Sequence, residues 1–198
     1  MKSEFIYVLI FFRFMECILH IAYRIDFATH MRNTPEKKAL SAQRQTEIQN
    51  AFKSEMGLLL DIPKTGSGTS NDGNTARRFF EDPKKTTRLL QLDRPQLKGK
   101  AEKLIERFSI ILKTLNSGFL IDVDAFQLFC SETAQLYCHK ELFKWYPMPP
   151  AVHRVLIHGA EIIRAAKVPI GVLSEEPQES RNKDIKNYRE MRARKCSR

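Results

Sequence analysis

Three glutamates, Glu175, Glu176 and Glu179, crowd residues 175–179 beside Arg181 and Lys183, in a chain whose formal net charge is +10. Acids gathered there have two readings. In a first helical turn they offset the positive end of the helix dipole and do nothing more. Held beside a phosphate-binding surface, one of them becomes a metal ligand, because hard divalent cations take carboxylate oxygens. His153 and His158 form a second constellation. Imidazoles bind zinc well, but five residues apart on an ideal helix they point about 140° away from each other. They share one ion only where the helix ends or distorts near Gly159. Arg77 and Arg78 form a third, in the segment TARRFFED that follows the loop KTGSGTSNDGN. If a helix starts at Thr75, both lie within a turn of exposed backbone N–H groups, where an anion is welcome. The bland alternative is a capped helix with solvated arginines, and the loop lacks the Lys-Ser/Thr of a P-loop. No Ser-His-Asp or Cys-His arrangement, internal repeat or heptad seam is present.

Composition bounds what these groups can serve. With 198 residues, 42% apolar and 28% charged, the chain can bury a core of its own and is not a disordered polyampholyte. Its 33 Lys and Arg against 23 Asp and Glu point to a polyanionic partner. Four scattered cysteines, Cys17, Cys130, Cys138 and Cys196, make no paired framework and fit a reducing compartment, nucleus or cytoplasm. Cys130 and Cys138 read as small buried side chains.

The elements that would position these residues are helices. In residues 1–34 an apolar run from Phe5 to Phe12 is broken by Arg13, Glu16 and His20. A membrane-spanning helix needs roughly 20 mostly apolar residues, so the segment reads as a helix buried in protein or facing a partner, with a membrane anchor as the minor alternative, and no membrane is expected. Starting in mid-helix, it also reads as a truncated or artefactual beginning. Residues 35–198 read as a second, helical unit. A polar helix runs from about Pro35 to Met56, with Thr34 as N-cap, Pro35 in the first turn and Gly57 as terminator. Asn74 would cap the next helix. Leu104, Ile105, Phe108, Ile111, Leu112 and Leu115 recur at steps of three and four and set a core helix from Lys98 to Asn116. Further helices are expected from about Asp122 to Trp145 and from Ala151 to Ala166. Val168 to Leu173 would be a strand or an extended lead, and the end of the chain a basic helix carrying Lys186, Arg189, Arg192, Arg194 and Lys195.

Four segments in register carry a family resemblance: GNTARRFF at 73–80, VHRVLIHGAEII at 152–163, IGVLSE at 170–175 and ESRNK at 179–183. From about Glu36 onward the chain resembles the C-terminal part of the catalytic core of Transib-type transposases and of their relative, the large recombination-activating subunit of the V(D)J recombinase. The resemblance implies that Glu179 completes an Asp-Asp-Glu triad holding magnesium or manganese. It implies that His153 and His158 help hold a structural zinc. It implies that Arg181, Lys183 and the basic helix beyond them, with Lys186, Arg189, Arg192, Arg194 and Lys195, line a path for DNA. Net charge and clustering add Arg77 and Arg78 to the expected DNA-binding residues, and the expected location is the nucleus. Cleavage and strand transfer of phosphodiesters use two divalent ions about 4 Å apart, so one carboxylate is not enough. Glu175 and Glu176 read as solvated acids.

The departures from that family are equally specific. Its two catalytic aspartates sit on β-strands of a ribonuclease-H-like fold, and no strand-rich segment here can host them. Asp61, Asp72 and Asp122 fall in loops or at helix caps. The family's zinc site also uses a close cysteine pair, and this chain has no Cys-x-x-Cys. The expected fold is therefore mainly α: a helical region of a larger ribonuclease-H-like Asp-Asp-Glu core with most of its strands missing. The expected function is DNA binding by an incomplete recombinase, alone, as a homodimer, or joined to the remaining part of a transposase. The alternative is a non-catalytic basic helical module that binds nucleic acid or protein.

Overall fold

The computed structural model describes residues 7–26, 34–63, 69–139, 143, 145–166, 168–169 and 171. Among them are seven α-helices and no strand, so the fold is mainly α, as its composition and periodicities require. Pro63 and Thr69 make an isolated antiparallel bridge across the loop between the second and third helices.

The first helix, α1, spans Tyr7–Arg24. A helix apolar nearly all round is stable only when protein covers it on every side. Accordingly Phe14, Met15, Ile18, Leu19, Ile21 and Ala22 are fully buried, and Arg13 emerges on the one exposed edge to pair with Glu16 at 2.8 Å. Helices α2 (Pro35–Met56), α3 (Gly73–Phe79), α5 (Lys100–Leu115) and α7 (Pro150–Ala165) surround it. Phe14 meets Phe108 of α5 edge to face at 4.6 Å. No helix of the described residues is long and apolar enough to cross a membrane.

Helix α2 is polar and touches the rest of the chain sparingly. It buries Arg44, Ile48 and Phe52, one residue per turn. Pro35 starts it and Gly57, at φ 61°, stops it: the Gly57 N–H donates back to the Lys53 carbonyl and the Leu58 N–H to the Phe52 carbonyl. Arg44 does the work of a clasp. Its guanidinium donates to the carbonyls of Ala22 and Leu90 and to Gln91 Oε1, and it pairs with Asp26 at 3.1 Å. Every donor on a buried guanidinium that finds an acceptor removes a desolvation cost of about 1–3 kcal/mol, so one side chain joins the end of α1 and the Leu90–Gln91 turn to the middle of α2.

Two short helices follow. The cap of α3 is Asp72, whose carboxylate accepts from the Thr75 N–H at 2.8 Å, not Asn74; the helix starts two residues earlier than expected. Helix α4, Pro83–Leu89, was not foreseen in the sequence. Asp82 caps it, Pro83 opens it, and its buried residues include two threonines, Thr86 and Thr87, whose hydroxyls are satisfied by the carbonyls of Phe79 and Pro83. A 3₁₀ turn at Pro95–Leu97 and Gly99, at φ 72°, then lead into α5.

Helix α6 spans Val123–Tyr137, capped by Asp122 accepting from Asp124 and Ala125 N–H groups; it ends eight residues before the expected Trp145. It packs along α7 in the opposite direction, since Arg164 near the end of α7 meets Asp124 near the start of α6 at 2.7 Å. Gly159 lets the two helices close up, because a Cβ there would come within 3.2 Å of the Phe126 ring. Beyond α7, the backbone of Gly171 lies directly on the Asn116–Gly118 turn after α5, leaving no room for any side chain. Of the 168–173 stretch only Val168, Pro169 and Gly171 are among the described residues.

Candidate nucleic-acid interface

Glu175, Glu176, Glu179, Arg181, Lys183, Lys186, Arg189, Arg192, Arg194 and Lys195 lie outside the described residues, as does the expected C-terminal basic helix. Arg77, Arg78, His153 and His158 lie within them.

Arg77 and Arg78 occupy the last turn of α3, not its first. The N–H groups of the first turn therefore lie at the other end of the helix from these guanidiniums, and an anion taken there is held by the side chains and not by the helix start. Arg77 sits over the Phe11 ring, 5.9 Å from its centroid. Arg78 donates to the Met56 carbonyl at the end of α2. Both line an open cavity of about 350 Å³ between α1, α3 and α5, whose other walls are Phe11, Phe80, Glu81, Ser109, Lys113 and Asn116. Lys113 was overlooked in the sequence because α5 reads so strongly as core. It stands on the solvent side of that helix, in its last turn. The signal was available: a lysine on the polar edge of an otherwise apolar stripe.

A second depression, about 500 Å³, is lined by Lys84, Lys85 and Arg88 of α4 together with Glu55, Asp82, Asp93 and Glu102. Here the charges largely answer one another. Arg88 pairs with Glu55 at 2.5 Å, Lys85 donates to the Glu55 carbonyl, and Asp82 is spent on the cap of α4. A surface with mixed signs at this density carries no net pull on a polyanion.

His153 and His158 do not diverge as the ideal helix repeat implies. Their rings approach to 5.5 Å between centroids, inclined by 59°, on the exposed side of α7. The helix is continuous through Gly159; the side-chain torsions alone bring the rings together. Glu161 lies 3.6 Å from His158 Nδ1. Two imidazoles are half of a tetrahedral zinc shell, and among the described residues no group of three or more His, Cys, Asp or Glu is arranged to hold a metal ion.

The remaining candidates have structural duties. Asp61, at φ 53°, accepts from the Tyr23 hydroxyl at 2.6 Å and from the Asn71 amide, fastening the loop after α2. Asp72 and Asp122 cap α3 and α6. Cys17 is buried against the Tyr137 hydroxyl, and burial pushes its thiol up to about 12. Cys130 is likewise buried, and burial raises it to about 12 against the opposing pull of Arg107. Cys138 is exposed, contrary to the expectation that it is a small core side chain, because α6 stops one residue before it and turns it outward.

Searches with protein-family models and against curated proteins find no match to this chain.

Proposed function

We propose that the chain binds DNA as an incomplete Asp-Asp-Glu recombinase core of the Transib type, carries the glutamate of such a site at Glu179, and cannot cut or join DNA unaided. The observation that supports this reading is the order of four short segments, GNTARRFF, VHRVLIHGAEII, IGVLSE and ESRNK, ahead of a Lys/Arg-rich end. The formal charge of +10 agrees with a polyanionic partner. When bound, magnesium or manganese would activate the attacking oxygen and stabilise the leaving one. Glu179 would hold part of that metal pair. Asp61, Asp72 and Asp122 are occupied in a loop and at two caps, so the partner carboxylates would come from a longer chain or another subunit. His153 and His158 would contribute half of a zinc site, completed from elsewhere, in a nuclear protein.

The test has two arms. Fluorescence anisotropy with a labelled duplex should give affinity that falls steeply as salt rises, with a log–log slope of roughly −0.9 per phosphate neutralised. Supercoiled plasmid incubated with magnesium or manganese should stay intact, with wild type and Glu179→Gln indistinguishable. Absence of duplex binding at low salt defeats the DNA reading, and Glu179-dependent nicking defeats the claim of inactivity.

A second reading is favoured by a different observation. Six exposed large apolar side chains, Phe119, Leu120, Leu128, Ile157, Ile162 and Val168, fall on α6, α7 and the segments flanking them. A non-catalytic module would use that layer against a protein partner. Plasmid and duplex assays that are both negative, with a stable stoichiometric protein complex lost on Leu120→Asp, would select it.

A further inference from the structure

We draw no further inference here: the strongest candidate, the exposed apolar layer of Phe119, Leu120, Leu128, Ile157, Ile162 and Val168 on α6, α7 and the segments flanking them, carries nothing beyond the second reading above, because nothing in the structure shows what covers it.

Discussion

Replacing Phe14 by alanine should destabilise the whole chain, and the size of the effect follows from where the ring lies. Phe14 is 0% exposed and stands edge-on to Phe108 at 4.6 Å. Truncating a buried phenylalanine costs about 3–5 kcal/mol, through lost transfer free energy and the cavity left behind. Of that, the ring pair accounts for roughly 0.5–1.5 kcal/mol. Set against a total stability of about 5–15 kcal/mol, the loss is about a fifth or more of what holds the fold together. In a chain of this size each kcal/mol moves the melting point by about 2–4 °C, so Tm should fall by roughly 6–20 °C. One residue away, Arg13→Ala removes a side chain that is 52% exposed, paired with Glu16 and set over the Phe12 ring at 5.4 Å, and should cost no more than about 1 kcal/mol. Urea unfolding followed by far-ultraviolet circular dichroism measures both variants. A Phe14→Ala midpoint equal to that of Arg13→Ala would refute the reasoning, for α1 would then be a passenger and not the helix around which the others pack.

Other consequences are open to measurement. Among the described cysteines, Cys138 should react with a thiol reagent well before Cys17 and Cys130 at mild alkalinity, because the raised thiols of the latter two are thiolate in only about one molecule in ten thousand near pH 8; equal rates mapped by mass spectrometry would contradict the burial. The neutral forms of Cys17 and Cys130 are favoured by the fold, their thiols moving from 9.0 to about 12, so stability should hold below about pH 9 and decline as pH climbs toward 12. A flat denaturation midpoint across that window would disprove it. Zinc binding by His153 and His158 in the isolated chain should be weak, since two imidazoles are half of a zinc shell and no group of three or more His, Cys, Asp or Glu among the described residues is arranged to hold a metal ion; stoichiometric zinc in protein purified without added metal, lost on His158→Ala, would show otherwise. Arg44→Met should cost about 2–4 kcal/mol by orphaning the Ala22 and Leu90 carbonyls, more than the charge-removing Arg94→Gln, and urea midpoints that reverse this order would refute the clasp.

Where the sequence carried a local rule with one answer, the helices were legible. Thr34-Pro35 and Gly57 bracket α2, and a proline in the first turn with a left-handed glycine after the last leaves little choice of boundary. The stripe from Leu104 to Leu115 set α5, and all its members are buried. Helix α4 was missed because its buried face includes threonines, which look polar by type. Only the structure shows that backbone carbonyls at Phe79 and Pro83 take their hydroxyls and leave methyl groups for the core. The start of α3 was misjudged because Asp72 and Asn74 are both good caps; the choice between them depends on which carboxylate or amide can reach an N–H three residues on. Helix α6 was drawn too long because apolar residues continue past Tyr137 into the stretch that leads to Phe143 and Trp145, and periodicity does not distinguish a helix from a loop that also packs on the core.

The candidate site was legible in kind but not in arrangement, and the reason is that charge is a property of residues while a binding surface is a property of their neighbours. Arg77 and Arg78 drew notice from their place in TARRFFED, yet the first turn of α3 gives them nothing; Lys113, thirty-five residues after Arg78, gives them a third cation. Lys84, Lys85 and Arg88 look equally basic in one dimension, and the acids of α2, α5 and the intervening loop cancel them in three. The histidines on α7 show the same effect in angle. A helical wheel sets their Cα–Cβ bonds far apart, while two rotatable bonds on each exposed side chain are enough to bring the rings within 5.5 Å. Sequence spacing thus fixes which groups start on one face. Whether they finish together is decided by exposure, which leaves a side chain free to swing, and by the charges that other elements bring alongside.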